Sequence, residues 1–176
     1  MYILGVTTII TRKIEVGGLT KSQLIQKLKR NPILVNEYGE RLLTDEKFTT
    51  SDTKYNLQTV ELTVGSLGFS DGATTAQIFR KARELGLSLC PLELGPYLRL
   101  EYLDQPEGDA GNSVERKQAP SGSITIASEI LSEDDDFPKG FYLRRTNGEL
   151  WLRGYCADHL HVWNPDDHMI FCQTKI

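Results

Sequence analysis

Disulfide scaffolding is the first thing this chain lacks the means for. It has only three cysteines, Cys90, Cys156 and Cys172, odd in number and widely spaced. The apolar start Met1-Tyr-Ile-Leu-Gly-Val-Thr-Thr-Ile-Ile10 has no basic n-region and no small-residue cleavage site, and Arg12 and Lys13 follow it, so it reads as a strand rather than a secretory signal. Reduced thiols and a cytoplasmic location are therefore expected. No apolar run approaches the roughly 20 residues that a membrane helix needs, so no membrane partner is expected.

Cationic excess is also missing. The net charge is −4, and residues 1–60 hold nine Lys/Arg against six Asp/Glu, so the remainder carries −7. A phosphate-binding surface needs a basic stripe, and nucleic acid is an unfavoured partner. Catalytic signatures are absent as well. There is no His-Glu-x-x-His, no paired Cys-x-x-Cys, no phosphate-binding loop, no dinucleotide fingerprint and no nucleophile elbow. The acidic run Glu133-Asp-Asp-Asp136 lacks the spaced oxygen ligands and glycine of a calcium loop. Cys90 precedes a proline in apolar surroundings and reads as a small buried side chain.

What remains is the composition of an ordinary globular protein, 39% apolar and 25% charged over 176 residues, which predicts a single domain spanning 1–176. Residues 2–16 have the Ile, Val and Thr content of a strand or hairpin. Thr20-Lys-Ser-Gln23 is a capping box that opens a helix with Leu24, Ile25 and Leu28 as its stripe, ended by Asn31-Pro32. A second helix is predicted over about 34–44, with Val35, Tyr38 and Leu42 inward and a loop over 45–57 after it. Thr59–Val64 reads as a strand. Thr74 and Gln77 box the start of a third helix, with Ile78, Phe79, Ala82 and Leu85 as its stripe and Gly86 as the C-terminal stop.

Leu87–Tyr97 reads as an irregular buried connection and the alternating Leu98–Leu103 as a strand. A long exposed loop is expected over about 104–123, followed by a strand over Ile124–Ile130. Two C-terminal hairpins complete the pattern. The class is α+β, with a mostly antiparallel sheet or open barrel in the C-terminal half and helices concentrated in the N-terminal half.

Several stretches resemble an uncharacterised family of bacterial proteins of similar length. They are Gly18-Leu-Thr-Lys-Ser-Gln-Leu24, Val35-Asn-Glu-Tyr38, the run from Glu84 to Tyr102, and Gly140-Phe-Tyr-Leu-Arg-Arg145 with Leu150-Trp-Leu152. The resemblance implies a single bacterial domain. It brings no chemistry, because no activity is established for that family.

Function is sought in the hairpins. Asn147-Gly148 between alternating runs is a two-residue type I′ turn, which pairs Thr146 with Glu149, Arg144 with Trp151 and Tyr142 with Arg153. Tyr142, Arg144, Trp151, Arg153 and Tyr155 then share one face, opposite a core face of Phe141, Leu143, Leu150 and Leu152. Either the arginines merely clip the hairpin over Trp151, or the face recognises a partner; Trp, Tyr and Arg are the residue types enriched at binding hot spots. An acidic protein partner or an anionic ligand suits it.

In the second expected hairpin a four-residue loop, Asn164–Asp167, sets Trp163 opposite His168. His159, His161, His168 and Cys172 then share a face, while Leu160, Val162, Met169 and Phe171 point to the core. His159 and His161 with Cys172 are candidate ligands for zinc. The leading reading is a cytoplasmic binding or regulatory domain, with no cofactor predicted and a protein as its favoured partner. The alternative is a metal-dependent hydrolytic enzyme built on the His-rich hairpin.

Overall fold

One curled mixed sheet organises the chain, seen in a computed structural model that describes residues 9–108 and 119–173. Its strands are β1 (Ile10–Val16), β2 (Leu34–Val35), β3 (Tyr55–Thr63), β5 (Leu87–Ser88), β6 (Ile124–Ile126), β7 (Gly140–Thr146), β8 (Glu149–Tyr155) and β10 (His168–Gln173). They lie in the order β1-β3-β10-β6-β7-β8-β2, with β5 paired to β10 beyond β6. The β6–β10 and β2–β8 pairs are parallel and the others antiparallel. A separate ribbon joins β4 (Ala73–Thr74) to β9 (Val162–Trp163). Four helices pack on this frame: α1 (Lys21–Arg30), α2 (Glu37–Thr44), α3 (Thr75–Glu84) and α4 (Leu94–Glu101). The class is α+β, with helices mostly N-terminal and strands mostly C-terminal.

Local chemistry explains the elements that the sequence predicts well. Both capping boxes form: Thr20 with Gln23 opens α1, and Thr74 with Gln77 opens α3. Gly86 follows the end of α3 at φ +82°, the left-handed geometry glycine adopts without strain. Asn147 and Gly148 both have positive φ, as a type I′ turn requires, and the β7–β8 register is the one expected.

Elsewhere the structure corrects the expectations. Leu98–Leu103 belongs mostly to helix α4, not to a strand. Leu94 and Leu98, four apart, are buried together, and the adjacent Arg99 is buried too, so the Leu98/Leu100/Tyr102 alternation carries no strand. The second helix begins at Glu37, because Leu34–Val35 adds a parallel strand to β8 and Asn36 caps the helix. That later start turns Gly39, Leu42 and Leu43 inward and leaves Tyr38 exposed. Leu85 is exposed as well. β3 begins at Tyr55, inside the segment expected to be a loop.

The expected long loop is exposed at Asp104, Pro106, Glu107 and Gly122, but its flanks are also tied into the fold. Gln105 and Ser123 are buried, and the Gly108 N–H donates to Arg145 O at 2.8 Å. Residues 109–118 of that expected loop, and 2–8 of the expected first strand, lie outside the described residues.

The sheet buries side chains on both faces. One core holds Ile14, Leu28, Leu42, Leu98, Phe141, Leu143, Leu152 and Ile170 beneath α1, α2 and α4. The other holds Val60, Leu62, Ile78, Ala82, Met169 and Phe171 beneath α3. β10 lies between β3 and β6, so Met169 to Cys172 are all buried and the strand does not alternate.

A cation sits at the heart of the first core. Arg99 is fully buried, and no carboxylate among the described residues pairs with it. Its Nη1 donates to Gln105 Oε1 at 2.6 Å and to Trp151 O at 3.2 Å, and Nη2 donates to Tyr102 O. Gln105 Nε2 in turn donates to Gly122 O at 3.0 Å and Leu143 O at 3.1 Å. Burial lowers the Arg99 pKa to about 10, which still leaves it charged at neutral pH.

Replacing Gln105 by Leu strips Arg99 of an acceptor and takes a donor from the buried Leu143 carbonyl and from the Gly122 carbonyl. The expected loss is about 2–4 kcal/mol of stability, read as a lower urea midpoint. Glu101→Ala, on the exposed side of α4, is expected to change stability by less than about 0.5 kcal/mol. An unchanged midpoint for Gln105→Leu would show that the network is not needed.

Candidate functional site

The face predicted from the first hairpin forms. Tyr142, Arg144, Trp151, Arg153 and Tyr155 lie on the side of the sheet that carries Thr125 and Met169, since Thr125 is the cross-strand partner of both Tyr142 and Met169. This is the side that α3 covers over β3 and β10. Among the described residues, no helix covers it over β6, β7 and β8. The cover ends at β9, where Trp163 donates from Nε1 to Thr75 Oγ1 at 2.8 Å. There the Trp163 ring stands edge-on to Tyr155 at 5.5 Å and to His161 at 4.7 Å.

An open groove of about 470 Å³ runs along this border, walled by Tyr142, Tyr155, Trp163, His161, Tyr38 and Ser123. Five aromatic rings line it, together with Asn36, Thr125 and several small residues. Beyond Tyr142 the face continues into cations. Arg153, the cross-strand partner of Tyr142, stacks over Trp151 with its Cζ 4.1 Å from the ring centroid. Such a pair is worth about 0.5–1 kcal/mol when exposed. Arg144 is buried, donates from Nε to Ser121 O at 3.2 Å, and has its pKa lowered by burial and then by Arg153. Burial raises the Tyr155 phenol, so it stays protonated. Among the described residues, three donors on this side have no hydrogen-bond partner and are closed from water: Ser123 Oγ, Trp151 Nε1 and Arg153 Nε.

α2 delivers Tyr38 to the groove through one amide. Asn36 Oδ1 accepts from Gly39 N and Gly154 N, both at 2.8 Å, while its Nδ2 donates to Gly154 O at 3.1 Å. One side chain thus caps α2 and completes a rung on β8. The approach is close, since a Cβ on Gly154 would lie 2.6 Å from the Tyr38 carbonyl carbon.

The second expected hairpin does not form. The Asn164–Asp167 turn is present, with Asp167 N donating to Asn164 O at 3.0 Å and Asn164 N to Asp167 Oδ2 at 2.9 Å. Its two flanking strands part, however: β9 joins β4, and β10 enters the main sheet. The histidines and Cys172 therefore do not share a face. His159 is exposed, His161 lies against Trp163, His168 contacts Glu61, and Cys172 is buried beside Cys90. Among the described residues no group of three or more His, Cys, Asp or Glu side chains is placed to hold a metal ion. Leu160 and Val162, expected in the core, are exposed, whereas Met169 and Phe171 are buried as expected.

His168 belongs instead to a charged clamp across β1, β3 and β10. Buried Glu61 accepts from Arg12 Nη1 at 2.8 Å and faces His168 Nδ1 at 2.9 Å. Arg12 also lies over the Tyr102 ring at 4.4 Å.

No family model matches this chain, and neither a curated protein nor a solved structure does. The site's meaning therefore rests on its own geometry.

Two expectations follow. Asn36→Ala removes three hydrogen bonds between α2 and β8 and should cost about 1–3 kcal/mol by chemical denaturation. The clamp should make stability depend on pH. Its bond to Glu61 raises the His168 pKa above 6.5, so that contribution is complete below about 6.5 and lost as pH rises through the raised value. Burial alone would raise Glu61, but the bonds from His168 and Arg12 outweigh it and lower it below 4.5, so its contribution is present above about 4.5 and lost as pH falls through the lowered value. The thermal midpoint of the protein minus that of Glu61→Gln should peak between those limits and shrink as pH rises through the raised His168 value. A flat difference across that range would remove His168 from the clamp.

Proposed function

We propose that this protein is a cytoplasmic binding or regulatory domain that recognises another protein through the groove at the β7–β8 face, gripping an acidic segment that carries a ring. The single observation behind the reading is a convergence. Tyr38, Ser123, Tyr142, Tyr155, His161 and Trp163 come from distant parts of the chain to wall one open groove, and the stacked Arg153–Trp151 pair lies beside it. Aromatic walls bury area at little entropic cost, and an arginine at the end selects for negative charge. No helix among the described residues is long and apolar enough to cross a membrane, and all three cysteines are free thiols, which suits a reducing compartment.

Both tryptophans of the chain lie at this face, so intrinsic fluorescence reads the site directly. Titration with a synthetic peptide of alternating Glu and Tyr should give a saturable change, and a Lys/Tyr peptide should not. The double variant Tyr142→Ala/Arg153→Ala should bind at least about tenfold more weakly, a loss of about 1.4 kcal/mol, with its fold retained by circular dichroism. Undiminished affinity in that variant, or equal binding of the Lys/Tyr peptide, would refute the assignment.

A further inference from the structure

A second polar cluster lies on the opposite face of the sheet, independent of the groove. Cys172 in β10 and Cys90, just past β5, have their Sγ atoms 3.1 Å apart, and both are free thiols. The contact crosses the β5–β10 pair on a diagonal, because Cys172 is opposite Ser88 in the register. Cys90 is fixed on both sides, with its N–H donating to Ala127 O at 2.7 Å and its thiol lying 3.7 Å from Ile170 O. The two sulfurs are thus held together by the backbone of β10 and of the segments just after β5 and β6.

They are not sealed in. Cys90 lines an open cleft of about 610 Å³ whose walls include Lys47, Ser51, Leu92, Glu93 and Leu131. Glu93 forms a fixed polar wall, accepting from Tyr55 OH at 2.6 Å and from Ser51 N at 2.9 Å. Both cysteines are at most 3% exposed. A folded protein bearing a disulfide cannot reach sulfurs so deeply set, so the reactant that suits this cleft is a small molecule. Burial raises the Cys90 thiol, and the contact with the Cys90 sulfur lowers Cys172, so Cys172 is the more readily ionised of the two.

We propose that Cys90 and Cys172 form a peroxide-responsive dithiol site that a small hydroperoxide, entering by the cleft over Cys90, converts reversibly to a disulfide. The Cys172 thiolate attacks one peroxide oxygen and the O–O bond breaks, giving a sulfenic acid and hydroxide. The hydroxide takes the Cys90 proton and leaves as water. The Cys90 thiolate then attacks the Cys172 sulfur, forming the S–S bond and expelling a second hydroxide, which takes a proton from solvent. Two thiols and one hydrogen peroxide become one disulfide and two waters. A small dithiol reductant reverses the change by exchange.

The test uses the full chain carrying Cys156→Ser, which removes the exposed third thiol. After native protein is treated with a few-fold excess of hydrogen peroxide and then denatured, thiol titration and intact mass are read. Loss of both thiols, a mass decrease of about 2 Da and a tryptic peptide joining Cys90 to Cys172 are expected, with dithiothreitol restoring both thiols. The same cross-linked peptide is expected from the unsubstituted chain. In Cys90→Ser/Cys156→Ser the reaction should stop at a sulfenic acid on Cys172, trapped by dimedone. Two thiols that survive peroxide, or oxygen added without the cross-link, would overturn the proposal.

Discussion

The buried guanidinium of Arg99 is the constraint to which the rest of this structure is tied. A charge moved from water into a protein core is expensive unless polar groups replace its hydration. Here the replacement is neutral: the Gln105 amide and the carbonyls of Tyr102 and Trp151. Gln105 passes the connection on to Gly122 and Leu143. Helix α4, the segment after it, the approach to β6 and both strands of the β7–β8 hairpin are thereby held by one network. Partial loss leaves several polar groups buried and unpaired at once, so the network forms as a unit.

That network also reaches the candidate binding face. The carbonyl of Trp151 turns toward Arg99 while its ring turns out beneath Arg153. The Leu143 carbonyl is held by Gln105, with Tyr142 and Arg144 on either side in the strand. The backbone that presents the aromatic and cationic side chains is thus anchored from the far side of the sheet. Asn36 does the same for Tyr38, locking α2 to Gly154. A recognition surface gains from such fixing, because little ordering remains to be done on binding.

The site itself was only half legible in the sequence. Asn147-Gly148 specifies its own turn, and a two-residue turn determines the pairing of every residue along β7 and β8, so five residues could be assigned to one face correctly. The other wall could not be read. Helical periodicity counted from residue 34 places Tyr38 in the core, whereas the Asn36 cap starts the helix later and exposes it. Ser123 lies inside a segment whose composition suggests only an exposed loop. His161 and Trp163 read as one arm of a hairpin that the fold does not form. The Asn164–Asp167 turn is real, but a turn fixes only the local reversal of the chain. Which partner each strand then takes depends on strands far away, here β4 for one and β3 with β6 for the other.

By itself, then, the sequence determined what neighbours along the chain can settle. It determined the two capping boxes, the glycine stop of α3, the hairpin register and the α+β class, because capping, turn geometry and periodicity act over a few residues. Tertiary structure decided the rest. It placed β10 at the centre of the sheet and turned Leu98–Glu101 into helix. It drew Arg99 inward, brought Cys90 to Cys172 across 82 positions, and gathered the groove from five separate stretches. These outcomes depend on which surfaces bury one another best, and burial is a property of the whole chain rather than of any window within it.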